Sequence, residues 1–296
     1  WGWDWTEISA GNKDGEPDFY TFSMPGYSGK FCFSDDRTPI FFPAQDIKIE
    51  VEYTGSGSFQ SFVLTVPDGT RYYFGRTAST TDVDPVEITK VSSEDNMIAL
   101  GNIVSSWFLN KIESADRLFS INLVYSQERY SYMGLLFKPM HEQNNVDKEY
   151  QLIKNTVLGV RLQSIQFSNG RVDFVPGTLR EDLLGFSNYQ LQEDANTEAK
   201  TLSSISVYRG DNSLLKSFNL STSYTVDNTS PLNGAIQSMY YSLVNDKKKL
   251  RLNSVTEVNS LGQSLPPTSY EYFPETVTRR LSFGQDHWGY ANGVTS

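Results

Sequence analysis

The sequence predicts an all-β fold built from long antiparallel hairpins in twisted sheets. Three observations carry this. Apolar residues alternate with polar ones over short segments, as in Ile47, Ile49, Val51 and Tyr53, and again in Phe119, Ile121, Leu123 and Tyr125. Turn-forming pairs sit between these segments, with Asp68-Gly69 the sharpest. A Leu-x-x-Ile/Val step recurs at Leu109–Ile112, Leu162–Ile165, Leu202–Ile205 and Leu252–Val255. A hairpin must pair with neighbours to bury a face, so recurring hairpin steps point to a ladder of them. An incomplete spiral or partial-barrel wrap satisfies this pattern, and a pair of β-sandwiches is the alternative.

Taken in order, Trp1, Trp3 and Trp5 alternate with polar residues and open a strand, and residues 11–17 form a turn-rich loop. Asp18–Ser23 and Gly29–Ser34 make a hairpin about Pro25-Gly26, and Asp35-Asp36-Arg37 turns the chain into Ile40-Phe41-Phe42. Residues 47–53 are a strand, and residues 62–66 and 70–75 a hairpin. Residues 76–100 read as a surface loop with one short strand, Val86–Val91. The stretch Trp107–Tyr125 reads as strand, turn at Ser114-Ala115-Asp116-Arg117, and strand. A polar insertion spans 138–150. A hairpin turns about Asn169-Gly170, a short helix is expected over Leu179–Leu184, and residues 190–200 form a charged loop. A long hairpin turns at Gly210-Asp211-Asn212. Strands follow at 237–244, 250–258 and 269–273, and no linker marks a boundary. The expectation is one all-β region over 1–296, with subregions 1–100 (hairpins) and 101–296 (irregular hairpin repeats).

Composition narrows function more than it specifies it. The 296 residues carry 25 basic and 35 acidic side chains, a net charge of -10 that disfavours nucleic acid as partner. Lys247-Lys248-Lys249-Leu250-Arg251 reads as a charged strand edge. The single cysteine, Cys32, excludes an internal disulfide and reads as a small buried residue. No run of 18 apolar residues is present to span a bilayer as a helix. The start at Trp1, without Met, reads as a fragment or processed product.

Catalytic motifs are sparse. There is no Gly-x-Ser-x-Gly elbow, phosphate-binding Gly loop or Asp-x-Asp-x-Asp-Gly calcium loop. His141 and His287 are the only histidines, too few for a histidine-rich metal site, so neither cofactor nor metal is expected. Asp35-Asp36, Asp82/Asp84 and Glu94-Asp95 are acid pairs that a glycoside hydrolase would need, and each reads as a solvated turn. Asn219 and Asn228 match glycosylation acceptors. The most unusual cluster is Asp286, His287, Trp288 and Tyr290, two rings beside an acid and an imidazole that could stack on and hydrogen-bond a sugar; a packed structural corner is the other reading.

The terminal GQDHWGYANG, the hairpin FVLTVPDGTRYYFG, the step SWFLNKI and the stretches EPDFYTFSMPGYSGKF and PPTSYEY together resemble the Bacteroidota RHS/YD-repeat proteins, in the region preceding their repeats. The chain departs from the YD pattern in lacking Tyr-Asp after the second arm. The resemblance implies a secreted or cell-surface polypeptide whose partners are its own RHS-repeat region and a cell-surface glycan or protein. It implies no catalytic residue. Three functional readings follow: a non-enzymatic structural or interaction segment of an exported surface or toxin-delivery protein, a glycan-binding module, and a cryptic glycoside hydrolase.

Overall fold

The computed structural model describes residues 18–34, 36–77, 83–93, 102–137, 150–186, 193–228, 245–273 and 278–282. All of its strand pairings are antiparallel, and the one helical element among these residues is a single 3-10 turn at Asn245–Lys247. The strand order closes on itself nowhere, so there is no barrel among the described residues. The chain divides into two compact units, residues 1–74 with 111–120, and residues 75–110 with 121–296.

In the first unit, β1 (Tyr20–Met24), β2 (Tyr27–Phe33) and β3 (Pro39–Phe42) form a three-stranded sheet in that order. A second ladder runs through β4 (Lys48–Tyr53), β5 (Phe59–Thr65) and β6 (Arg71–Gly75). Flat aromatic rings fill this core because they cover a pleated surface well. Tyr20 contacts Phe31 at 5.4 Å and Phe59 at 5.3 Å between centroids, and Phe33 stacks on Phe59 at 5.4 Å. Burial, with Asp18 nearby, pushes the Tyr20 phenol up to about 12. Cys32 is buried among these residues, as its sequence context implied.

In the second unit, β7 (Val86–Ser93) and β8 (Ile103–Trp107) pair with each other. β9 (Leu109–Glu113) begins in this unit and passes at Lys111 into the first, and the chain returns with the two longest strands, β10 (Ser120–Phe137) and β11 (Tyr150–Phe167). The ladder continues through β12 (Gly170–Leu179), β13 (Lys200–Arg209), β14 (Leu214–Val226), β15 (Lys248–Asn259) and β16 (Thr268–Ser269). β11 forks: its C-terminal end pairs with β12, while Ile153–Leu158 pair with β7. The recurring Leu-x-x-Ile/Val steps acquire a physical reason here. Ile165 sits opposite Leu123 and Val172, Ile205 opposite Phe174 and Phe218, and Val255 opposite Leu220. These three steps each place an aliphatic side chain in a cross-strand apolar pair, the element that stabilises a sheet face.

One turn design closes most of the hairpins. Ser34, Thr54, Val66, Arg209 and Asn259 each donate their N–H to the carbonyl four residues on, and Ser114 donates to the one five residues on. In all six the residue three positions after the first is left-handed: Arg37, Gly57, Gly69, Arg117, Asn212 and Gly262. The preceding aspartates 36, 68, 116 and 211 accept the N–H two residues further along, which fixes the bend. Arginine has no intrinsic preference for positive φ, so replacing it should help. Arg117, exposed and at φ 62, is the clean test: Arg117→Gly should raise stability by about 1 kcal/mol in a thermal melt.

The same turns set an acid limit. Hydrogen bonds from Ser34 and Thr38, from Thr70, from Ser114 and Leu118, and from Ser213 hold the carboxyls of Asp36, Asp68, Asp116 and Asp211 below their ordinary value of 3.8. A depressed folded pKa means the stabilisation is fully present above the unfolded value and disappears as pH falls through the folded one. The urea midpoint should therefore change little from pH 6 to about 4.5 and fall steeply below pH 4. Asp116→Asn with Asp211→Asn should flatten that acid limb.

The expected helix at Leu179–Leu184 does not form. Leu179 ends β12, and Leu184 makes an isolated antiparallel bridge to Ser131. The donors a helix needs are already committed: Arg180 N–H to Ala199 O, Leu184 N–H to Ser131 O, and Gly185 N–H to Asp194 O. Burial of Leu183 and Leu184 fixes this irregular path. The turn expected at Asn169-Gly170 is shifted by one residue, since Gly170 pairs with Phe167 and opens β12. The strand expected over 269–273 is reduced to Thr268–Ser269.

Candidate functional site

Asp286, His287, Trp288 and Tyr290 lie outside the described residues, as do Trp1, Trp3, Trp5, His141, Asp35, Asp82, Glu94, Asp95 and the strand expected at 237–244. Asp36 braces its own hairpin turn, and Asp84 lies 3.4 Å from Arg76. Among the described residues no group of three or more His, Cys, Asp or Glu is placed to hold a metal ion. Every described carboxylate whose pKa departs from its ordinary value is lowered, by hydrogen bonds or a basic neighbour, whereas a general acid needs a raised one.

Two features of the second unit stand out. The first is the terminal edge of the ladder. β16 pairs with Ser254 and Val255 of the twelve-residue β15, the chain before it meets β15 through the Val258–Ser264 bridge and the Leu265 N–H to Glu257 O bond at 2.9 Å, and the ladder ends there among the described residues. The following chain is strung along β15 by Tyr270 N–H to Asn253 O at 2.9 Å and Tyr272 Oη to Leu252 O at 2.7 Å, with Arg251 over the Tyr272 ring. Around it Leu265, Tyr272 and Phe273 are exposed, Phe273 to 87%. Sheet edges in soluble proteins are normally blunted, so an apolar margin of this kind reads as a surface awaiting a partner.

The second feature lies at the base of β14 and β15. Arg279 donates through Nε to Asp246 Oδ2 at 2.6 Å and through a terminal nitrogen to Oδ1 at 2.8 Å, and its backbone N–H donates to Asp227 Oδ2 at 2.8 Å. Arg280 N–H bonds Asp246 O, and its guanidinium donates to Asp182 O and lies over the Tyr132 ring. Leu281 is wholly buried in a cluster with Met133, Leu152 and Leu184. Burial, with the Arg280 charge beside it, holds Lys249 below the ordinary lysine range. Nearby an open groove of about 420 Å³ is lined by Glu181, Leu183, Asp194, Asn196, Asn245 and Lys248. Lys154, 1% exposed, reaches Asp194 at 3.7 Å beside it.

Sequence reasoning missed the Asp227–Asp246–Arg279 cluster. Its signal was present in Arg279-Arg280-Leu281, two cations and a leucine after a proline-bounded stretch, but nothing local shows which carboxylates they meet.

No family model and no curated protein matches the chain. Among solved structures the chain is similar to the N-terminal domain of effector protein SpvB from Salmonella typhimurium strain LT2. The TM-score is 0.37 at 11% identity, over 82% of this chain and 74% of that one. It is also similar to a chain of the TcdB2-TccC3-Cdc42 crystal structure, with TM-score 0.31 and 10% identity over 86% of this chain. There it spans 16% of the other chain's length. Scores at this level define neither a family nor a function. The protein's class is an all-β hairpin ladder, and in the described residues no helix is long and apolar enough to cross a membrane.

Proposed function

We propose that the chain is a non-enzymatic structural and interaction segment of an exported RHS-like polypeptide, of the surface-displayed or toxin-delivery kind. Strands of the repeat region of that polypeptide pair along its β16 margin. The observation that carries this reading is the ladder itself: hairpin after hairpin joined by apolar cross-strand pairs, ending at a two-residue strand among exposed Leu265, Tyr272 and Phe273. The resemblance of the motifs to the region before RHS repeats supports the same assignment, and with it goes a secreted or cell-surface location.

The test is Leu265→Lys with Phe273→Glu. Both side chains are exposed, so the stability of this chain alone should change by less than about 0.5 kcal/mol. Introduced into the intact polypeptide, the same pair should abolish its compact protease-resistant form, read by limited proteolysis of the exported product. An intact polypeptide that remains as resistant as the parent would sink the assignment.

A further inference from the structure

Alternation along the strands divides the β1-β2-β3 sheet of the first unit into two faces. One face carries Tyr20, Phe31, Phe33 and Phe41, whose rings meet one another and Phe59 of β5. The residues between them point the other way. On that second face Phe19 and Phe42 meet edge to face, 5.6 Å between ring centroids, and Ile40 shares the parity of Phe42. Phe19 is 57% exposed, Phe42 46% and Ile40 43%. The polar members of this face, Thr21, Ser23 and Ser28, are short, so the apolar side chains stand above them. Lys30 lies in register between Thr21 and Phe42 and is exposed. An antiparallel sheet packed on one face normally turns polar side chains outward on the other. Here the outward face is aromatic and aliphatic, the mark of a surface with a partner.

The chain carries a matching surface directly upstream. Trp1, Trp3 and Trp5 share one parity in the sequence, so an extended chain shows three indoles on one side, and Glu7 continues that side. The reach is sufficient. Residues 11–17, rich in Gly and Pro turn formers, span up to about 24 Å when extended, whereas three paired strands measure about 10 Å across. The segment also runs straight into Phe19, itself a member of the face.

We propose that residues 1–10 are the partner of this face, lying across it as an extended strand with Trp1, Trp3 and Trp5 on Phe19, Ile40 and Phe42 and with Glu7 beside Lys30. Indoles suit the surface on two counts. Their flat rings cover exposed aromatic and aliphatic side chains, and their N–H groups find acceptors in the Thr21, Ser23 and Ser28 hydroxyls. The glutamate on the tryptophan side meets the one lysine of the face, which fixes the direction in which the segment lies. The sheet is then covered on both faces, and three of the five tryptophans serve packing rather than an exposed sugar platform.

The test replaces Trp3 by the photoreactive residue benzoylphenylalanine in the whole chain. The protein is irradiated in an equimolar mixture with an isotopically heavy copy, and the cross-links are mapped by mass spectrometry. Cross-links should join position 3 to Phe19, Lys30, Ile40 or Phe42 of the same chain. Ile40→Lys with Phe42→Lys, both at exposed positions, should cut their yield by about tenfold while the β-sheet circular dichroism stays as it is. Cross-links to Phe59 or Phe62 on the opposite side of the sheet overturn the proposal, as does the absence of any cross-link. A link to the heavy copy overturns it as well, since it makes a second chain the occupant, and so does a yield that the two lysines leave unchanged.

Discussion

Gly170→Ala should destabilise the second unit by about 3 kcal/mol or displace the register of its ladder. A Cβ at this position would lie 2.2 Å from the Tyr208 carbonyl oxygen and 3.4 Å from the Arg209 Cα. Both are backbone atoms of β13, so no side chain can swing aside. The φ of 158° is one that residues with a Cβ rarely adopt, so backbone strain adds to the crowding. Gly170 pairs with Phe167 on one side and Arg209 on the other. Relief therefore requires β12 to move away from β13, with loss of the Arg171 contact on the Tyr208 ring at 4.2 Å. A urea titration should show a lower midpoint. A red-shifted aromatic signal with an unchanged midpoint would mean the strands separate locally at little cost.

Met133→Ala should cost about 3 kcal/mol, in the range for emptying a packed methionine site. Met133 is 1% exposed, on β10 opposite Lys154, and touches Leu152, Leu184 and Leu281. Strands carry three of these four groups or fix them by backbone bridges, so the cavity cannot collapse freely. Leu281→Ala makes an informative companion. Leu281 is 0% exposed in the same cluster, so Leu281→Ala should cost a comparable amount, about 3 kcal/mol. A much smaller loss in the urea midpoint would show that residues 278–282 reposition to close the cavity.

The fold class was legible because its signals are local. Alternation at 47–53 and the Asp-Gly at 68–69 each specify a strand or a turn through the residue's own chemistry. The turns at Arg37 and Arg117 show the limit. Their positions were readable from Asp-Arg, but the left-handed state of an arginine follows from the two-sided pull of the hairpin, against its own preference. Leu179–Leu184 failed for the opposite reason: a short apolar run is compatible with a helix until tertiary partners claim its amides, which Ser131 and Ala199 do. The carboxylate partners of Arg279 were not legible locally. Asp182, Asp227 and Asp246 are distant in sequence and look like ordinary surface acids, and only the return of residues 278–282 to β10 and β15 assembles them. The exposed margin at 265–273 reads, from sequence alone, as an ordinary Pro-rich turn and aromatic strand.

The central claim is that β16 is a pairing margin for the rest of a longer polypeptide. Hydrogen exchange of this stretch, alone and within the intact polypeptide, tests it most directly. Amides of Glu271, Tyr272 and Phe273 should exchange rapidly in the isolated chain and become protected by more than about tenfold in the intact polypeptide, while β11 amides are equally protected in both. Equal exchange at 271–273 in the two settings would contradict it.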